Sequence, residues 1–260
     1  MASWLRNKGL TAYEYSFGRG VRMTDETAHR IRDEFIKNEI TISAHAPYFI
    51  NFAVDDESKA EKSMKWLYDT MVIIKKMGGN RVVFHPGACG KMERSEALAL
   101  TIQNLKNFID KIKDDEMVEG VFLCPETMGK INQIGDDKEI IEICKISDRF
   151  IPCYDFGHLN SRNHGLFFSS EDFKNVLTYA INELGYDRFK NFHIHFSKIM
   201  YSNGGEVKHL TFEDTEFGPN FEYLAPVLHE LKLEPTIICE SAGTQDVDAL
   251  TMSNIYKNAL

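Results

Sequence analysis

The chain reads as an α/β protein, a closed barrel of parallel strands, on three observations. It has 260 residues, the usual size of one such barrel, typically about 250. Short apolar runs alternate with amphipathic stretches of helical period from end to end, with no linker or low-complexity segment between them, the pattern of repeated strand–helix–strand units. The polar residues that punctuate the apolar runs fall at their C-terminal ends, where a parallel barrel carries its chemistry. Residues 1–260 are therefore expected to form a single barrel domain.

In chain order, residues 3–9 end a helix closed by Gly9, and residues 12–17 (AYEYSF) make a short aromatic-rich strand. A helix follows over 25–38, with Ala28, Ile31 and Phe35 at helical spacing. The run TISAHAPYFINF, 41–52, begins as a strand and turns into a loop after His45. A long helix over 59–77 stops at Gly78–Gly79. The alternation continues with strands at 81–85, 120–126, 150–155, 192–197 and 236–240. The intervening helices span 95–113, 137–146, 169–184 and 221–231, and a last one covers 246–258. That makes seven strands, whereas a closed barrel of this kind needs eight. The first barrel strand is the one without a counterpart, missing or truncated ahead of Trp4. An open doubly wound sheet is the alternative.

Composition narrows the function classes. Hydrophobic residues make up 43% and charged residues 27%, which suits a globular protein with a large core. There is no apolar run of membrane-spanning length and the first residues lack a signal-peptide pattern. Five scattered cysteines with no CxxC pair read as buried thiols of a cytoplasmic protein. A net charge of −9 argues against a generally basic nucleic-acid surface, although carboxylates that hold cations would invert the field locally.

Six strands end in a residue able to ligate a metal: His45, His85, Glu126, Asp155, His193 and Glu240. His158 and His209 lie in the loops just beyond such ends. Each has an ordinary reading when taken alone: a hydrogen-bonded rim histidine, a helix cap, a turn. Together they make a ring of His, Asp and Glu without Lys or Arg, which would be an electrostatic liability without cations. Imidazole and carboxylate donors without thiolate suit Zn²⁺, Mn²⁺ or Fe²⁺, and so many donors can hold two or three ions.

The motifs HAPYFIN, FHPG, PETMG, DFGH and HIHFSK, followed by a terminal ICES, resemble in order and spacing those of the endonuclease IV family, zinc-dependent TIM-barrel endonucleases that act at abasic sites. The resemblance covers about residues 10–245. It implies hydrolysis of the phosphodiester 5′ to an abasic site in double-stranded DNA, through a hydroxide bridging the metals, by a monomer. It implies His45 and His85 as ligands of a first ion and Glu126 as the bridge to a second. Asp155, His193 and Glu240 would complete the second ion, and His158 and His209 would hold a third. The resemblance also implies Glu126 and Glu240 as the catalytic carboxylates and Tyr48 as an aromatic near the DNA backbone, while Arg19 in the FGRG loop matches, by position only, a loop with which the family enters the DNA. The chain departs from the pattern in two further respects. Val207 stands where the family has an aspartate ligand of the third ion, with Glu206, Glu213 and Asp214 as possible substitutes. His195 stands where the family usually has an amide. A sugar isomerase or epimerase of the xylose-isomerase-like barrels is the competing reading, and a non-catalytic barrel with a degenerate site is a third.

Overall fold

The computed structural model describes residues 1–259. Seven short parallel strands form the inner ring: β1 (Ala12–Ser16), β2 (Thr41–His45), β3 (Arg81–Phe84), β4 (Phe122–Pro125), β5 (Cys153–Asp155), β6 (His193–Phe196) and β7 (Thr236–Cys239). Hydrogen-bonded ladders run β1-β2-β3-β4 and β5-β6-β7. Parallel bridges Leu123↔Phe150 and Glu126↔Cys153 join the two halves. β1 and β7 complete the ring side by side without a ladder between them. A cavity of about 970 Å³ opens along this seam, lined by Ala12, Tyr13 and Glu14 on one side and by Thr236, Ile237 and Ile238 on the other. The expected seven strands are thus present, and the unpaired position lies between β1 and β7. Both flanking strands are only half-buried, whereas β5 and β6 are wholly buried.

The outer layer consists of α1 (Ala2–Asn7), α2 (Asp25–Lys37), α3 (Glu57–Lys76), α4 (Arg94–Ile112), α5 (Asp137–Cys144), α6 (Phe156–Arg162), α7 (Ser170–Leu184), α8 (Tyr186–Phe189), α9 (Phe221–Glu230) and α10 (Gln245–Asn258). Local chemistry sets their limits. Asp56 accepts the Lys59 amide and starts α3, which buries Ala60, Met64, Leu67, Met71 and Ile74 along one stripe. Gly78 follows at φ +81°, and a Cβ on Gly79 would stand 2.3 Å from the Ile42 carbonyl oxygen. The glycines therefore let the helix end close against β2. Asp136 and Glu139 form a reciprocal capping box at α5, as Ser169 and Asp172 do at α7. At the bottom of the barrel Arg81 donates to the carbonyls of Asn191 and Phe192 and to the Thr236 hydroxyl, tying β3 across to β6 and β7.

Three features go beyond the sequence-based expectation. α6 occupies what was expected to be a loop, so His158 sits in a helical first turn. An antiparallel hairpin, Ile199–Ser202 with Gly205–His209, follows β6. A two-residue pair, Gly87–Ala88 with Gln133–Ile134, links the loops after β3 and β4.

Candidate metal centre

The strand ends converge on Glu126, the residue after β4, which is almost wholly buried. Its Oε2 lies 3.1 Å from Nε2 of His45 and 3.1 Å from Nε2 of His85. Its Oε1 lies 3.1 Å from Nδ1 of His195 and 3.3 Å from Nδ1 of His158. Burial alone would raise the carboxyl's pKa, but the imidazoles of His195, His158 and His45 outweigh it and hold Glu126 well below the usual carboxylate range.

The donor atoms fall into three adjoining groups. His45, His85 and Glu126 form one. Glu126, Asp155, His195 and Glu240 form the second. His158, Glu206 and His209 form the third; within each, the candidate ligand atoms lie within 4.8 Å of one another. Asp155 is positioned twice over. Its Oδ1 accepts the His158 amide at 2.7 Å as the N-cap of α6, and its own amide donates to Thr127 Oγ1 at 2.8 Å. Its other oxygen, Oδ2, is buried and has no hydrogen-bond partner among the described residues. Burial drives the Asp155 carboxyl well above its ordinary pKa. An unpartnered buried carboxylate oxygen beside the His195 imidazole and the carboxylates of Glu126 and Glu240 fits a bound cation, since such an atom otherwise carries a full desolvation cost. Imidazole and carboxylate donors of this kind suit Zn²⁺, Mn²⁺ or Fe²⁺.

The structure corrects the expected grouping on β6. His193 does not meet Glu126, Asp155 or Glu240; it groups instead with Cys153 and His195, and its Nε2 lies 3.1 Å from Glu14 Oε2. The reason is register. His195 is the ladder partner of Asp155, at the rim, whereas His193 is the partner of Cys153, two residues deeper, about 6.6 Å down the strand. Both histidines share one face, so alternation alone did not choose between them.

Of the carboxylates considered beside Val207, the third group brings Glu206 next to the two histidines. Glu206 Oε2 lies 3.5 Å from His158 Nε2 and Oε1 lies 4.0 Å from His209 Nε2. A register shift between Glu206 and Lys208 lets the hairpin turn Glu206 inward, while Val207 is exposed. Glu213 is exposed, and Asp214 Oδ1 accepts the amides of Glu216 and Phe217.

Tyr48 stands at the mouth of the site, 57% exposed, its ring 5.2 Å from that of His45 and 5.8 Å from that of His85. Ser16 Oγ lies 2.9 Å from its hydroxyl, and Gly18 leaves room for its ring. Arg19 is exposed in the next position of that turn. Two residues carried no signal strong enough for sequence reading to single them out for the centre. His195 was noted only as a departure, and Glu14 was one carboxylate in an aromatic strand.

This is a rim of side chains able to ligate metals on a parallel α/β ring. Residues 2–255 match the sequence profile of the xylose isomerase-like TIM barrel family, and the chain belongs to that family. It is 32% identical over 252 residues to an uncharacterized protein of Methanocaldococcus jannaschii, covering 97% of this chain and 89% of that protein. A probable endonuclease 4 of Mycoplasma genitalium is 31% identical over 166 residues, which is 62% of this chain and only 54% of that protein. Among solved structures, endonuclease IV from Thermus thermophilus superposes with a TM-score of 0.71 at 18% identity, over 99% of this chain and 92% of that one. A D-tagatose 3-epimerase-like protein gives 0.70 at 19% identity, over 96% and 88%. The resemblance to endonuclease IV read from the motifs is therefore borne out, on a divergent branch, and the barrel fold is shared with sugar epimerases.

Proposed function

We propose that this chain is a metal-dependent endonuclease that hydrolyses the phosphodiester 5′ to abasic sites in double-stranded DNA. It would act as one cytoplasmic barrel domain, without an obligate partner subunit. The observation that carries this reading is the three adjoining donor groups, two of which share Glu126. Nine side chains converge: His45, His85, Glu126, Asp155, His158, His195, Glu206, His209 and Glu240. That is more than a site for one or two ions in a sugar isomerase uses, and it suits a cluster of two or three.

In this reading a first ion would be held by His45 and His85 with Glu126. A second would be held by Glu126, Asp155, Glu240 and His195, in place of His193. A third would be held by His158 and His209 with Glu206 in the role of the family's aspartate. Divalent ions, when bound, supply Lewis acidity and neutralise phosphate charge. The chain's own residues do the rest. Glu126 touches two groups at once and fixes their spacing. Glu240, next to Nδ1 of His195 at 3.3 Å, is placed to orient a nucleophilic water and hold its proton. Tyr48 covers His45 and His85 and faces a substrate entering the mouth. Exposed apolar side chains on the surrounding loops, Phe49, Ile131, Leu166 and Phe168, suit insertion beside an unstacked nucleotide.

An isomerase would need a lysine or second carboxylate for proton abstraction, for which Lys198 and Glu240 are available; Lys198 donates its ammonium to the carbonyls of Phe212 and Asp214 and is committed to that loop. The test is incision of a duplex bearing a synthetic abasic-site analogue by the Zn²⁺- or Mn²⁺-loaded protein. Cleavage that disappears in Glu126→Gln is the expected result. Epimerisation of a ketohexose with no incision at any metal loading would overturn the reading, and fewer than two ions per chain after dialysis would point to a non-catalytic barrel.

A further inference from the structure

A metal-ligating imidazole needs its second ring nitrogen held by an acceptor, which sets the tautomer and aims the ring. Three rim histidines follow one plan. Nδ1 of His45 lies 2.7 Å from the Ala46 carbonyl, leaving Nε2 towards Glu126. Nδ1 of His158 lies 2.9 Å from the Thr127 carbonyl, leaving Nε2 towards Glu206. Nδ1 of His209 lies 2.8 Å from Ser197 Oγ, again leaving Nε2 towards Glu206. His195 is reversed. Its Nδ1 faces Glu126 at 3.1 Å and Glu240 at 3.3 Å, so its anchor must lie at Nε2. There Glu14 Oε1 stands 2.8 Å away.

Glu14 is built into the barrel for such a contact. It lies in the middle of β1, its side chain is 6% exposed, and it enters the barrel interior beside His193 and His195. Ser43 Oγ donates to its Oε2 at 2.7 Å from the neighbouring strand, and His193 Nε2 lies 3.1 Å from the same oxygen. The Glu14–His195 and Glu14–His193 contacts are both close but off the N–H axis.

We propose that Glu14 is the positioning residue for the second ion. It takes the Nε2 proton of His195 as a hydrogen-bond acceptor and turns Nδ1 towards the cation shared by Glu126, Asp155 and Glu240. His193 and Ser43 brace the Glu14 carboxylate from below and from the side. This rests on the metal reading above and adds a residue from β1 that contributes no ligand. It also gives His195 and Glu14 one joint explanation, because a histidine in place of the family's amide needs a buried acceptor for its far nitrogen.

The experiment is a titration of the metal-free full chain with Co²⁺ and Zn²⁺, read by visible absorption, chelator competition and bound-metal analysis, with circular dichroism as the check of folding. Glu14→Gln keeps the side chain's shape and removes its charge. One ion of the set should bind about 10- to 100-fold more weakly, with the remaining ions unaltered and its Co²⁺ absorption bands shifted. In a His195→Gln background the same change should cost no further affinity. Should Glu14→Gln fail to fold, Ser43→Ala, which removes the hydroxyl donor to Glu14 Oε2 and leaves the charge, should weaken the same ion by a smaller factor. A folded Glu14→Gln protein that binds every ion within threefold of the original chain overturns the proposal and leaves the metal reading intact, as does an undiminished effect in the His195→Gln background. An original chain that binds no divalent ion overturns both.

Discussion

His193 and His195 are two residues apart, point the same way and are both fully buried, yet only His195 reaches the rim. Substituting each with glutamine therefore separates the two roles. His195→Gln should lose one bound ion per chain and cut incision at least about 100-fold, the scale of a broken metal shell. His193→Gln should retain the full complement of ions by metal analysis. Glu206→Gln should empty the third group alone, leaving the ions at Glu126 in place, whereas Val207→Ala should change nothing. Sequence alone placed six candidate ligands at strand ends and two in the loops just beyond, because side-chain type and position are local facts. It could not pick His195 over His193, or Glu206 over Glu213 and Asp214, because those choices depend on strand stagger and on a bulge in a hairpin. A buried thiol gives a pH prediction at the same scale. Burial pushes Cys124 up to about 12, above the ordinary value of about 8.5 in an unfolded chain. The folded state therefore holds this proton more tightly. The resulting stability is complete below pH of about 8.5 and is lost as pH climbs towards about 12. Urea midpoints measured across that window should fall, and less steeply in Cys124→Ala.

Among the elements, α6 does double work. Asp155 ends β5, caps α6 and presents its free Oδ2 to the centre, so the turn that starts the helix also fixes His158 three residues on. Asp155→Asn keeps a capping side chain while removing an ionic ligand, so metal affinity should fall much further than thermal stability. Asp136→Ala at α5 is the converse. It removes half of a capping box remote from the rim and should cost about 1 kcal/mol of unfolding free energy, with metal content unchanged. These helices were legible from period and caps. The exception was α6, whose DFGH start reads equally well as a turn until Thr127 and Asp155 are seen to grip each other across adjacent strands.

On the scale of the whole molecule, the ring holds three groups of mutually close acidic and imidazole side chains. Without cations, Asp155, Glu126 and Glu240 would face one another in a buried space. Chelation should therefore lower the thermal midpoint, and restoring an ion at 100 times its dissociation constant should return about 2.7 kcal/mol. The original chain should nick abasic duplex once reloaded, while ketohexoses should pass unchanged. The seam between β1 and β7 is the least paired part of the ring, so the amides of Ala12–Ser16 and Thr236–Cys239 should exchange with solvent faster than those of β5 and β6.

The sequence by itself determined the alternation of strands and helices, the seven-strand count, the ring of metal-seeking residues and the family they resemble. All of these are written in period, residue type and order along the chain. Only the tertiary structure decided which histidine of β6 reaches the rim, that Glu206 turns towards His158 and His209, and that Glu14 lies behind His195. Those are relations between residues about 40 to 180 positions apart, or across a bulge. They are fixed by the parallel register of neighbouring strands and by closure of the ring, which no local pattern encodes.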